Sequence, residues 1–332
     1  MRVLSLRLYF KLTGFSLFRW GGEYTWTATG PASMGVGEPL PLPTTILGSI
    51  LGTRSGKELG GEVLEALSNK FQCRIEALRG PYYPYGEDGV AIHLYPGRLL
   101  CIDGQGVIRK VIEKRRILMD YGGTALRRDA KVVQQGMLYR VLLLDPEALR
   151  REGVEPQVSI DMVSSGNCRR NNGVRKLGGD MRLAVIGQDT NARLLRLLKK
   201  ITTDYYVLTS PLLLGEDRAA DAKRLLNGEC MNIDECKLCP PTVSEAKRIV
   251  EEVLVKAMRV KIEMLSPGVY GDSGFPRKPY LAILPGSLLK CKCHARRLEE
   301  GLGLYSRLGL SLIHISEPTR PLYISYAVFC LK

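Results

Sequence analysis

The opening of the chain constrains most strongly what it can fold into. Leu4, Leu6, Leu8, Phe10 and Leu12 alternate with Ser5, Arg7, Tyr9 and Lys11. Successive side chains of a strand point to opposite faces, so this period of two predicts a β-strand with one apolar face and one polar, aromatic-bearing face. Such a strand cannot stand alone. Its backbone donors and acceptors need neighbouring strands, and its apolar face needs a covering layer.

Helical and strand patterns then follow in mixed order. Pro43-Thr44-Thr45 opens a short apolar helix over 46–51, and a second helical pattern covers 58–67. Apolar runs predict strands at 90–94, 107–112, 137–144 and 158–163. A polar, glycine-rich stretch at 164–180 separates these from a second mixture: a strand at 182–186, a helix at 191–200 and a strand at 205–214. Thr242-Val243-Ser244-Glu245 is a capping box. Behind it Ala246, Ile249, Val250, Val253, Leu254 and Ala257 keep helical spacing, which predicts one helix. Strands are expected at 259–265 and, as a pair, over 281–293. Strand–helix–strand units in both halves predict an α+β fold of two ferredoxin-like (RRM-like) domains, 1–165 and 166–309.

Composition narrows the function. A hydrophobic fraction of 45% with 25% charged residues is ordinary for a globular chain. The apolar runs are too short to span a bilayer and no signal peptide opens the chain, so a cytoplasmic protein without a membrane partner is expected. Lys and Arg number 48 against 34 acidic residues, a net charge of +14 that favours a polyanionic partner. The phosphate-binding pattern G-x-x-x-x-G-K-[ST], the dinucleotide pattern G-x-G-x-x-G, H-E-x-x-H and G-x-S-x-G are all missing, and a non-enzyme is expected. His93 and His294 are the histidine candidates for a general base. His93 sits in the apolar run Ala91-Ile92-His93-Leu94, where a satisfied structural role is the expected one.

The cations cluster near glycines and strand entries. Arg127, Arg128 and Lys131 precede the apolar run at 137–144, and Arg169, Arg170, Arg175 and Lys176 surround glycines. Cations on loops feeding a sheet suit phosphate contact, and glycine lets a ligand approach the backbone; a solvated loop and a flexible linker are the competing readings. Among nine cysteines, Cys230, Cys236 and Cys239 form C-x5-C-x2-C, with Cys291, Cys293 and His294 as a second cluster. A structural zinc, or buried or paired thiols, could account for them; a disulfide framework is not expected outside a hyperthermophilic source.

Residues 310–332, LSLIHISEPTRPLYISYAVFCLK, resemble the translated read-through of a sequencing-library adapter, with Pro321-Leu322-Tyr323 where a sample index falls. That resemblance implies a non-native tail and a missing natural C-terminus. It also removes His314 and Cys330 from the inventory and leaves the basic excess almost unchanged.

Several blocks, in order, resemble a known family. Pro41-Leu42-Pro43-Thr44-Thr45-Ile46-Leu47-Gly48 is similar to a Pro-x-Pro-x-Thr-hydrophobic-x-Gly motif, and Phe18-Arg19 to a Phe-Arg pair ahead of a glycine-containing loop. Gly123-Thr124-Ala125-Leu126 with 132–139 is similar to a Gly-x-x-Leu block followed by Val-Val-x-x-Gly-Met-Leu-Tyr. Leu177-Gly178-Gly179-Asp180-Met181-Arg182 resembles a Leu-Gly-Gly-Glu-x-Arg signature, with Asp180 in place of Glu, and Leu284-Pro285-Gly286-Ser287 resembles a Pro-Pro-Gly-Ser strand entry. These belong to the subunit 3 family of the type III-B CRISPR (Cmr) effector, a branch of the RAMP superfamily. The resemblance covers almost all of 1–309. It implies two ferredoxin-like RAMP domains, the second incomplete because the family's glycine-rich end, begun at Ser306-Arg307-Leu308-Gly309, is cut off.

It further implies a non-catalytic antiviral-defence subunit that holds the 5′ tag of the crRNA and pairs with the large cyclase/polymerase-like subunit and other RAMP subunits. The expected RNA contacts are Arg19, Arg127, Arg128, Lys131, Arg169, Arg170 and Arg182. Gly48, Gly178 and Gly179 are the expected structural glycines of loops, and Cys230, Cys236 and Cys239 the possible zinc ligands, no other cofactor being implied. Two alternatives stand beside this reading. One is a RAMP endoribonuclease using His93 or His294; the other is a zinc-stabilised nucleic-acid adaptor outside CRISPR.

Overall fold

The computed structural model describes residues 3–18, 20, 34–35, 37–52, 61–126, 133–179, 182–200, 205–250, 252–266, 278–292, 302–309 and 313–315. The first half runs β1 (Val3–Leu12), β2 (Met34–Gly35), α1 (Pro43–Leu51), α2 (Gly61–Phe71), β3 (Arg74–Tyr85), β4 (Gly89–Leu94), β5 (Arg98–Ile102), β6 (Ile108–Ile112), α3 (Lys114–Ile117), β7 (Leu118–Leu126), β8 (Val133–Leu144), α4 (Pro146–Arg151), β9 (Gln157–Ser165), β10 (Gly173–Lys176) and β11 (Leu183–Asp189). The second half runs α5 (Arg193–Lys200), β12 (Tyr205–Leu208), β13 (Leu212–Leu213), α6 (Ala219–Leu226), β14 (Met231–Ile233), β15 (Cys236–Cys239), α7 (Val243–Ile249), α8 (Glu252–Ala257), β16 (Ile262–Leu265), β17 (Tyr280–Ile283), β18 (Leu288–Lys292) and β19 (Ile313–Ile315). No helix among the described residues is long and apolar enough to cross a membrane.

An eight-stranded sheet of order β10-β11-β1-β9-β3-β4-β5-β6 dominates. β1 lies near its middle, antiparallel to β9 and β11, as its two-faced pattern requires. Leu8, Phe10 and Leu12 point inward with Val158, Ile160, Met162, Ala184 and Ile186, and pack on Ile46, Leu47 and Ile50 of α1 and Val63, Leu67 and Phe71 of α2. β3 bends at Gly80-Pro81, where its register with β9 shifts, and its far end pairs with β4 instead. β4 and β5 are covered on both faces, so their residues read as continuous apolar runs. Ala91, Leu99 and Cys101 join the helix-side core. Val90, Ile92, Leu94, Leu100 and Ile102 pack on Leu194, Leu197, Val207 and Leu208 of the second half.

The fold is α+β with several antiparallel sheets. The β-α-β-β-α-β succession of a ferredoxin-like unit is only half met. α1 and α2 connect β1 to β3, but β9 reaches β11 through strand β10 and not through a helix. In the second half the strands divide into β14-β15-β18-β12-β19 and β13-β17-β16. The strands after 165 do not open a new sheet: β10 and β11 extend the first one to Asp189.

Three further expectations change. The helix expected over 246–257 is two helices, because Val250 leaves helical geometry at φ −131° and ψ 155°. Ile249, Val250 and Val255 are β-branched and buried, and burying Ile249 and Val250 in one core outweighs helical continuity. The capping box itself is formed: Thr242 accepts from Glu245 N, and the Glu245 carboxylate accepts from Thr242 N. Thr242→Ala is expected to cost about 1 kcal/mol, read from the urea midpoint.

Second, Cys230 and Cys239 are joined in a disulfide and so are not zinc thiolates. The β14–β15 register pairs Met231 with Leu238, which sets Cys230 opposite Cys239 at the hairpin ends. Cys236 is disulfide-bonded too, which removes the third expected ligand; Cys291 is buried and not disulfide-bonded, while Cys293 and His294 lie outside the described residues. Third, Gly48 stands inside α1, exposed and with open space around its Cα, not in a loop. In the adapter-like tail, Ile313–Ile315 pairs with β12; an unpaired strand edge accepts any extended segment, so this pairing does not depend on the segment's origin.

Candidate nucleic-acid interface

The described cations expected to meet RNA gather at the β10–β11 end of the main sheet. Arg169 and Arg170 are exposed on the loop between β9 and β10. That loop is fastened twice to the junction of α2 and β3. Cys168 is disulfide-bonded to Cys73, with Cα atoms 4.9 Å apart, and Arg169 N donates to the Phe71 carbonyl at 2.7 Å. The pairing follows from strand register: Arg74 opens β3 opposite Ser165 of β9, so the residues just outside both strands meet. Two exposed guanidiniums are thereby held on a braced segment instead of a free linker.

Two further cations complete this corner. Lys70, on the last turn of α2, donates to the Ile50 carbonyl at the end of α1. Burial first, and then the nearby Arg175 guanidinium, hold its ammonium below the ordinary lysine range. Arg175, in β10, is half-buried and donates to Asn171 Oδ1 at 3.3 Å. Like charges set side by side raise the local positive potential, which an anion would relieve. Helix carbonyl ends also attract cations, so Lys70 has a structural role as well. Sequence reasoning passed over Lys70 because it lies on an ordinary amphipathic helix, and only the tertiary fold brings it to β10.

The other expected residues divide. Arg19, Arg127, Arg128 and Lys131 lie outside the described residues. Arg182 is half-buried at the entry to β11, where its carbonyl accepts from Leu177 N at 2.8 Å and closes the β10–β11 hairpin. Gly178 and Gly179 serve that same turn. Gly178 has φ +86°, a Cβ there would lie 2.5 Å from the Leu17 carbonyl oxygen, and Gly179 N donates to that oxygen at 2.9 Å. These glycines allow the hairpin to close on 17–18; neither is free to approach a ligand on that side.

His93 is buried as expected but only half satisfied, since its Nδ1 has no hydrogen-bond partner among the described residues. It is 1% exposed, its Nε2 lies 2.9 Å from Glu38 Oε2, and its ring stands edge-on to Trp20 at 4.2 Å between centroids. The Glu38 carboxylate also accepts from Gly97 N at 2.7 Å. Buried in this way, the imidazole is out of reach of a phosphodiester. His294 lies outside the described residues.

No family model matches the chain, and no curated protein matches it. Solved structures do. The fold is similar to a chain in the cryo-EM structure of the type III-B Cmr-beta complex bound to cognate target RNA and AMPPnP, state 1, with 19% identity, 86% of each chain covered and a TM-score of 0.53. It is also similar to a chain in the cryo-EM structure of type III-B Cmr-beta bound to cognate target RNA, with 18% identity, 86% of each chain covered and a TM-score of 0.51. At this identity the likeness is one of fold.

Proposed function

We propose that this chain is a non-catalytic, RNA-binding subunit of a type III-B (Cmr) CRISPR effector, built on two elaborated ferredoxin-like domains of RAMP type. In this reading it holds the 5′ tag of a crRNA and docks on the large cyclase/polymerase-like subunit beside other RAMP subunits. The observation that carries it is the fold likeness to chains of RNA-bound Cmr-beta complexes, extending over 86% of this chain. The net charge of +14 and the braced loop with Arg169 and Arg170 support it, since neutralising phosphates releases counterions.

Anisotropy titrations with a tag-bearing crRNA at several salt concentrations test it. Binding is expected to weaken steeply with salt, to weaken when the tag is shuffled, and to strengthen with the large subunit present. Each phosphate contact on a single strand contributes about 0.7 to the log–log salt slope. Arg169→Ala with Arg170→Ala is therefore expected to lower the slope by about 1.4. Binding indifferent both to salt and to the tag sequence would sink the proposal.

A further inference from the structure

The face of the main sheet that turns away from α1 and α2 is covered over only part of its width. On β3, β4 and β5 it is sealed: Tyr82, Val90, Ile92, Leu94, Leu100 and Ile102 pack on the second half of the chain. On β11 and β10 the cover stops. Leu183, Val185 and Val174 are 51%, 40% and 54% exposed, while Ala184 and Ile186, on the other face of β11, are 0% and 1% exposed.

Register joins these residues into rows. Lys11 stands beside Val185, and Val185 beside Val174; Leu183 stands beside Lys176; Tyr9 stands beside Gly187. Gly187 shapes the middle of the patch, because a Cβ there would collide with Cζ and Oη of Tyr9. The tyrosine ring is thus laid over β11 and remains half-exposed. The acidic residue at the end of these rows, Asp189, is paired with Arg7. The loop bearing Arg169 and Arg170 leads directly into β10.

We infer that this open half-face is a stacking platform for a single-stranded stretch of nucleic acid, with bases lying on Tyr9, Val185 and Leu183 and phosphates running beside Lys11 and the cationic loop. The inference rests on the RNA-binding reading above and adds the surface that would receive bases, whereas the loop receives phosphates. A half-exposed tyrosine ring next to Gly187 and near Val185 and Leu183, with the Arg7 guanidinium 5.3 Å from its centroid and Lys11 and Lys176 on the adjoining rows, matches what an unpaired strand presents: exposed base faces and a charged backbone. A duplex hides its base faces and gains nothing from such a surface. A purely apolar protein face would leave Lys11 and the loop guanidiniums without partners.

The full chain can be titrated with a labelled single-stranded RNA of about ten nucleotides and with its duplex. Tyr9→Leu, which keeps bulk over Gly187, is expected to weaken single-strand binding about tenfold and to leave duplex binding unchanged. Ultraviolet crosslinking of the unaltered chain to the same RNA, mapped by mass spectrometry, is expected to mark Tyr9. Val185→Glu provides a second variant at an exposed position that does not depend on how Tyr9 packs. If both folded variants bind as the unaltered chain does and no crosslink forms at Tyr9, the platform is overturned and the patch is left to a protein partner. Continued dependence on Arg169 and Arg170 would then preserve the functional reading. If the unaltered chain binds no RNA, both fail together.

Discussion

Replacing Asp161 with alanine is expected to lower the free energy of unfolding by about 3–5 kcal/mol and to loosen α5 from the main sheet. Asp161 is 0% exposed. The registers of β3, β9, β1 and β11 set Arg79, Asp161, Arg7 and Asp189 side by side, so charge alternates across four strands. Tyr82 Oη donates to Asp161 Oδ1 at 2.7 Å, and Leu195 N, in the first turn of α5, donates to Oδ2 at 2.9 Å. One buried carboxyl therefore accepts from both Tyr82 and the helix that begins the second half, and fastens that helix to the sheet. Without it Tyr82 Oη and Leu195 N lose their buried acceptor, each unpaired group costing about 1–3 kcal/mol. Urea unfolding followed by circular dichroism measures the loss, and a change below about 1 kcal/mol would show that the row does not behave as a unit.

The same residue sets a pH dependence. Burial pushes the Asp161 carboxyl up from 3.8 to about 7, although its hydrogen bonds from Tyr82 and Leu195 and the nearby Arg7 pull the other way. A carboxyl raised in the folded state contributes stability that is fully present below its unfolded value and is lost as pH rises through about 7. Asp161→Asn, which does not titrate, is expected to remove that part of the loss. Urea midpoints for both chains on either side of this window test it, and equal slopes with pH would exclude Asp161 as the source.

Removing the Cys73–Cys168 disulfide, as the Cys73→Ser/Cys168→Ser double variant, is expected to cost about 4–5 kcal/mol. The bridge closes a loop with a sequence separation of 95 residues, so its main effect is to restrict the unfolded chain. The double variant is also expected to free the 166–172 loop, because the Arg169 N–H bond to Phe71 is then its remaining described tie to α2. Unfolding in oxidised and reduced conditions separates the two effects. The unaltered chain should fall to the level of the variant on reduction, apart from what Cys230–Cys239 and the disulfide of Cys236 add, while the variant shifts only by that second part. RNA affinity should drop along with loop order; an unchanged affinity would show that Arg169 and Arg170 work without the brace.

Much of the secondary structure was legible because it is a local matter. The alternation in β1, the apolar runs that became β4, β6, β8 and β9, and the capping box before α7 are consequences of side-chain direction and backbone hydrogen bonding over a few residues. The cationic character of the loop at Arg169 and Arg170 was legible for the same reason. What failed depended on distant partners. The 246–257 pattern is helical in period, yet the chain breaks at Val250 to bury two β-branched residues in a core drawn from both halves. C-x5-C-x2-C has a spacing open to metal binding, yet hairpin register pairs Cys230 with Cys239.

For this protein, then, the sequence by itself determined that there would be a sheet with one apolar face, a mixed α+β architecture and a basic surface, since periodicity and charge are carried by neighbouring residues. The tertiary structure alone decided which strands meet. That choice brought Cys73 to Cys168 and Lys70 to Arg175, and set Asp161 between two arginines. It also left the Tyr9 face open on β11 while closing the same face on β4. Strand order and register are settled by the packing of segments far apart in the chain, and no local pattern encodes them.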